Sequence, residues 1–197
     1  MSIVLAMSTD DRVIVKSDGR EMNNGKIVNE DICKHDKITH NCIIGYTGVK
    51  YACIEMVKFI KSKLNFNDTV DAEKVILQVQ KEAVSNIDKY SECAFIVAGF
   101  SKRLNKPIIC GVSYTDKFST IRLSYNDNKQ YGYLAIGAVN DKLCEFLFDD
   151  TQTIEDNMDN YIKTISKLNH TVNDHISTNK LTIIHSPNEN KILPSGI

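Results

Sequence analysis

Glycine and proline are scarce, at 9 and 3 of 197 residues. Collagen-like and Pro/Gly-rich disordered classes are excluded on that count. An excess of one charge is also missing. Lys plus Arg is 24 against 25 for Asp plus Glu, a formal net charge of −1. The basic surplus of a nucleic-acid binder and the polybasic face of a membrane-surface protein are therefore both lacking. Long apolar runs are absent too. The longest, near Cys93–Ala98, is far below the eighteen or so residues of a membrane span. The N-terminus MSIVLAMSTDD has no basic stretch, and its apolar segment, Ile3–Met7, is too short for a signal peptide. These absences predict a soluble, cytoplasmic chain with neither nucleic acid nor membrane as partner.

Six cysteines are present, at positions 33, 42, 53, 93, 110 and 144. None forms a C-x-x-C pair, and most lie in apolar segments. In a cytosolic chain they are expected to be reduced and buried. Cys33/His35 and His170/His175 are the nearest approaches to a ligand pair, and neither has zinc spacing. No metal and no cofactor is expected.

The gaps between chain breakers carry the organisation. No Gly or Pro occurs from Val49 to Ala98, nor from Ala138 to Ser186. In the first gap, Val49, Ala52, Cys53, Met56, Ile60 and Leu64 fall on one helical face. Ala72, Val75, Ile76, Val79, Ala83 and Ile87 fall on another. Asn67, Asp68 or Asp71 can cap the second helix. In the later gap, Leu143, Cys144, Leu147 and Phe148 predict a short helix. Ile154, Met158, Tyr161, Ile162 and Ile165 predict a longer one, and a third spans about His170 to Ser177. Strands are expected at Ile3–Ser8, Val13–Lys16, Ile38–Tyr46 (broken near His40-Asn41), and Leu181–His185. Cys93–Phe100, Pro107–Tyr114, Ser119–Ser124 and Tyr131–Ile136 are expected to form one meander. Runs of strands alternating with runs of helices predict an α+β fold with mostly antiparallel sheets. Two sheets face to face, each covered by a helix pair, would bury every apolar face named. That is a four-layer αββα sandwich, expected to be one domain over residues 1–197.

No phosphate loop, nucleophile elbow or metalloprotease helix motif is present. The features with chemical potential are individually weak. Ser2 follows Met1, and its small side chain favours removal of Met1. Ser17-Asp18-Gly19-Arg20 ends the second strand and reads alone as a polar turn. Lys34 reads alone as an exposed lysine. Gly45-Tyr46-Thr47-Gly48 ends a strand and opens the first long helix, where free backbone N–H groups can meet an anion.

Their joint spacing is more specific than any one of them. Ser2, the strand Ile3–Met7, Asp18-Gly19-Arg20, Lys34 and Thr47-Gly48-Val49 resemble, in order and spacing, the proteasome β-subunit and HslV group of N-terminal-nucleophile hydrolases. Asp174-His175-Ile176-Ser177 resembles the group's late Asp-x-x-Ser, and Ala135-Ile136-Gly137 its glycine before the third helix. Two positions depart from the pattern. The nucleophile is Ser2 in place of Thr, without the methyl group that stiffens χ1. Ala138 stands where the group has a serine.

The resemblance implies a peptidase. The free amine of Ser2 would act as base for its own hydroxyl, since an α-amine has a reference pKa of about 7.7–8.0. Lys34 would be the neighbouring cation and Asp18 its partner. Asp174 and Ser177 would hold the amine, and the Gly48 N–H would stabilise the oxyanion. The pocket beside Ser2 would comprise Ile32, Tyr46, Lys50 and Ile54, favouring small or acidic side chains before the cut. Stacked homo-oligomeric rings, an ATPase unfoldase or gating ring, and peptide or unfolded-protein substrates are implied as partners. With only Met1 ahead of Ser2, the N-terminus is closer to HslV than to subunits with a long propeptide. The alternative, raised by Ala138 and Ser2, is a catalytically silent structural ring subunit of the same fold.

Overall fold

The computed structural model describes residues 2–126, 131–139 and 149–182. The predicted helix around Leu143–Phe148 lies outside them. Alternation explains the sheets. In β1 (Ile3–Ser8) and β2 (Arg12–Asp18), Val4, Ala6, Val13 and Val15 point one way, and Ile3, Leu5, Met7 and Ile14 the other. Every residue of β1 is buried, which is why it reads as a continuous apolar run rather than an alternating one.

The two strands pair antiparallel, with β10 (Gly132–Gly137) beside β1 and β11 (Ile176–Thr182) beside β2. The second sheet runs β5 (His35–Thr39), β6 (Cys42–Thr47), β7 (Ala94–Ser101), β8 (Lys106–Ser113) and β9 (Arg122–Tyr125), antiparallel throughout. Ile43, Ala94, Ile96, Ala98 and Ile109 face the first sheet and close a core with Val4, Ala6, Val13 and Val15.

The other face of the five-stranded sheet carries Cys42, Ile44, Phe95, Val97, Ile108 and Cys110. Helices α1 (Lys50–Ser62) and α2 (Ala72–Ser85) cover it with Ala52, Cys53, Met56, Ile60, Val75, Ile76 and Val79. The Asp71 carboxylate caps α2 by accepting from the Glu73 N–H at 3.2 Å. Helix α3 (Ile154–Leu168) covers the four-stranded sheet with Met158, Tyr161, Ile162 and Ile165. Its N-cap is Thr153, which accepts from the Asp156 N–H at 3.1 Å. Lys16, on the α3 side of β2, is buried and donates to the Glu155 carbonyl at 3.0 Å and to the Asp159 carboxylate.

Three sequence expectations change. The strand at residues 132–137 does not continue the β7–β8–β9 meander; it crosses to β1 in the other sheet. No helix forms over His170–Ser177. That stretch is turns followed by β11, whose register against β2 runs from Ile176↔Asp18 to Thr182↔Arg12. The strand expected at Leu181–His185 is the end of β11, and residues past Thr182 lie outside the described region. The polar segment after Arg20 holds an unforeseen hairpin, β3 (Glu21–Asn23) and β4 (Lys26–Asn29). Its turn is Asn24-Gly25 with φ of 48° and 74°, the dipeptide that a type I′ hairpin favours.

Candidate active site

The ends of β1, β2 and β6 and the starts of β5 and α1 converge on one cleft of about 680 Å³. Ser2, Ile32, Lys34, Tyr46, Gly48 and Lys50 line it, six of the ten residues singled out from the sequence. Asp18 stands immediately behind. It is fully buried, and its Oδ1 accepts from Lys34 Nζ at 2.7 Å and from the Ile3 N–H at 2.9 Å. Lys34 Nζ also donates to the Asp18 carbonyl at 2.9 Å. One carboxylate thus fixes both the lysine and the residue that follows Ser2. Burial pushes the Lys34 amine below its ordinary range, and the Asp18 charge and hydrogen bond oppose that shift. A buried ion pair of this kind is costly to break, about 3–5 kcal/mol when one partner is removed.

Ser2 is held from the other side by β10. Its carbonyl accepts from the Ala138 N–H at 2.8 Å. Gly137 has φ of +90°, and a Cβ there would lie 1.8 Å from the Ser2 carbonyl oxygen. Only glycine permits this approach, so the late glycine of the sequence pattern has a concrete task.

The remaining predicted residues divide. Ser177 sits on β11 opposite Ser17. The two hydroxyls share a hydrogen bond of 2.8 Å, and the Lys34 N–H donates to Ser17 Oγ at 3.3 Å. Ser177 therefore reaches the lysine's backbone through one intermediary. Asp174 is exposed and makes no hydrogen bond to Ser2 among the described residues. The buried side chain at that turn is Asn173, which accepts from the Gly19 N–H at 2.8 Å and donates to the Glu30 carbonyl at 2.9 Å. Ile54 is half-buried on α1 and does not line the cleft.

Several participants were not foreseen. The β3–β4 hairpin contributes Glu21, Met22, Asn23 and Asn24 to the cleft wall. Lys50 Nζ lies 2.7 Å from Glu21 Oε2, so the rim cation is offset by an acid from the opposite wall. His35 is buried behind Lys34, with Nε2 3.1 Å from Ser177 Oγ and Nδ1 2.8 Å from Asn179 Nδ2. Cys33 is exposed, against expectation, with Sγ 3.3 Å from His35 Nδ1. Burial pushes its thiol up, and the His35 hydrogen bond and charge more than reverse this. The Asn-Gly turn was the available sequence signal for the hairpin; His35 gave none. Cys42, Cys53, Cys93 and Cys110 are buried and free, and Cys144 lies outside the described residues. No cluster of three or more His, Cys, Asp or Glu side chains suited to a metal occurs among the described residues. Nor is any described helix long and apolar enough to cross a membrane.

The arrangement offers a hydroxyl, a buried paired cation and a glycine turn at a helix start within one cleft. Those are the parts of a nucleophilic site. No protein-family model matches the sequence, and no curated protein does. Among solved structures, the crystal structure of eukaryotic HslV from Trypanosoma brucei aligns with a TM-score of 0.71 at 16% identity, covering 91% of this chain and 99% of that one. The chain has the fold of the HslV and proteasome β-type group, an α+β architecture of antiparallel sheets and few helices.

Proposed function

We propose that this chain is a proteasome-like peptidase subunit whose nucleophile is Ser2, exposed by removal of Met1. The observation that carries the reading is the convergence of Ser2, Lys34 and Gly48 on one cleft, with Lys34 bound to the buried Asp18. The Ser2 hydroxyl attacks the peptide carbonyl and passes its proton to the Ser2 amine. Lys34 keeps positive potential beside both groups and lowers the amine's pKa. The Gly48 N–H meets the oxyanion. The acyl-enzyme then yields to water, with the amine again as base. Ser177 acts through Ser17 on the backbone of Lys34, and Asp174 is the least supported member of the set. Tyr46 floors the substrate pocket as a neutral phenol, since burial pushes its pKa up to about 12. Ile32 and Lys50 form its walls, and Ile54 belongs to the helix behind.

We place the subunit, as one domain in a full αββα sandwich, in stacked homo-oligomeric rings of the cytoplasm. An ATPase or gating ring would feed it unfolded chains.

The test is intact mass after incubation with a β-lactone. The expected result is loss of Met1 and one adduct on Ser2, absent from Ser2→Ala, with peptide turnover falling at least a thousandfold in that variant. A Met1-free sample that takes no adduct overturns the reading. The silent ring subunit is the second reading, favoured by Ala138 and by the exposure of Asp174. It predicts rings in native mass spectrometry and no turnover of any peptide library.

A further inference from the structure

Cys53 and Cys93 come from different elements and meet behind the cleft. Cys53 lies in the first turn of α1, its N–H donating to the Val49 carbonyl at 3.0 Å. Cys93 immediately precedes β7. Both are buried, and the Cys53 thiol donates to Cys93 Sγ at 3.7 Å. This hydrogen bond is the chief cause that holds the Cys93 thiol below its ordinary range and pushes Cys53 up. Of the two, Cys93 is therefore the thiol that gives up its proton more readily and Cys53 the one that holds it, the order of an attacking and a resolving cysteine.

The pair abuts the proposed oxyanion turn. A Cβ on Gly48 would lie 2.3 Å from the Glu92 carbonyl oxygen and 2.7 Å from Cys93 Cα. Cys53 Sγ also reaches the Thr47 carbonyl at 3.5 Å. Thr47, Gly48 and Glu92 all line the cleft. The sulfurs therefore lie directly behind the cleft lining formed by Thr47, Gly48 and Glu92.

We propose that Cys53 and Cys93 are an oxidation site that closes to a disulfide under hydrogen peroxide and shifts the Gly48 turn as it does so. Cys93 gives up its proton and its sulfur attacks one peroxide oxygen, the O–O bond breaks, and the leaving hydroxide takes that proton as water. Cys93 becomes a sulfenic acid. The Cys53 sulfur then attacks Cys93 Sγ, the S–O bond breaks, and the departing hydroxide takes the Cys53 proton as water. Two thiols lose two electrons in all, and one peroxide becomes two waters. A disulfide needs the sulfurs at about 2.05 Å, so the 3.7 Å between them closes by rotation of the two side chains together with a shift of the first turn of α1 and the Glu92–Cys93 backbone. Gly48 lies against that backbone with no free space, and it moves with them. The disulfide itself is independent of the proposed peptidase activity; its effect on turnover rests on that reading.

The test treats the full chain with graded peroxide, alkylates free thiols in acid, and maps the peptides without reduction. The exposed Cys33 is the internal measure of dose. The expected result is a Cys53–Cys93 linked peptide, with amide exchange over residues 47–52 altered at least threefold. Peptide turnover falls at least fivefold, dithiothreitol restores it, and Cys53→Val is indifferent to peroxide. If both cysteines alkylate freely while Cys33 is oxidised, the site is overturned. If the link forms but exchange over 47–52 stays unchanged, the coupling to the turn is overturned. A reduced protein with no turnover fails the peptidase reading alone, because peptide mapping and amide exchange still decide this one.

Discussion

At the scale of single residues, the site is built from polar groups that each do two things. Asp18 holds both Lys34 and the Ile3 N–H. Ser17 bridges the Lys34 N–H and Ser177. Lys34 is the group whose chemistry is most exposed to test. Its amine is pushed below the ordinary lysine range chiefly by burial. Its charge is therefore lost at a lower pH than a free lysine's. Turnover that needs this cation falls on the alkaline side, through a pKa below about 10.4. The acid side falls as the Ser2 amine becomes protonated. A bell-shaped kcat/KM profile with that displaced alkaline limb is expected. An alkaline limb at the ordinary lysine value would remove Lys34 from the mechanism. The same shift carries a stability sign. Between the lowered folded pKa and the unfolded value, the unfolded chain binds more protons, so stability rises with pH in that window.

At the scale of elements, the β3–β4 hairpin is the least anchored part of the cleft. All four residues of β4 are exposed, among them Ile27 and Val28. The Glu21–Lys50 pair crosses from the hairpin to α1, and a partly exposed pair contributes about 0–1 kcal/mol. The turn is the hairpin's main determinant. Gly25→Ala meets no neighbour within 4 Å but must adopt φ of +74°, at a cost of about 1–2 kcal/mol. That cost falls on the hairpin alone, because few core contacts tie it to the rest. Amide exchange over Glu21–Asn29 is expected to rise about tenfold, with the urea midpoint of the whole chain unmoved. For the peptidase, KM should rise more than kcat falls. A shifted global midpoint would show that the hairpin is part of the core.

At the scale of the whole molecule, stability lies in the apolar layer between the sheets and in the helices that cover them. Ile96 is fully buried against Val4, Ala6 and Ile109, whereas Leu77 on α2 is half exposed. Ile96→Ala is expected to cost about 2–5 kcal/mol, and Leu77→Ala no more than about 0.5 kcal/mol. Urea unfolding of both variants checks the layer order. Equal losses would mean that α2 packs through a different face.

How far the sequence reached follows from the range of each interaction. Periodicity placed β1, β2, α1, α2 and α3, because side-chain direction repeats within a few residues. Ser2, Asp18, Lys34 and Gly48 could be grouped from the sequence only by their resemblance to a family spacing, since each reads alone as an ordinary polar or turn residue. Strand partners were legible where neighbours in the chain pair, as in β7–β8–β9, but not across the sheets. Gly132–Gly137 follows the β7–β9 meander in the chain yet pairs with β1, a choice between two edges that local pattern does not encode. The segment at 170–177 has helix-compatible composition, but hydrogen bonds to β2 make its end a strand. Tertiary structure alone decided that Asn173, not Asp174, is the buried side chain of its turn. It alone brought His35 beneath Ser177 and set Cys53 against Cys93. In each case the partners are dozens of residues or more apart in the chain, and only the packing of two sheets and a helix brings them within bonding distance.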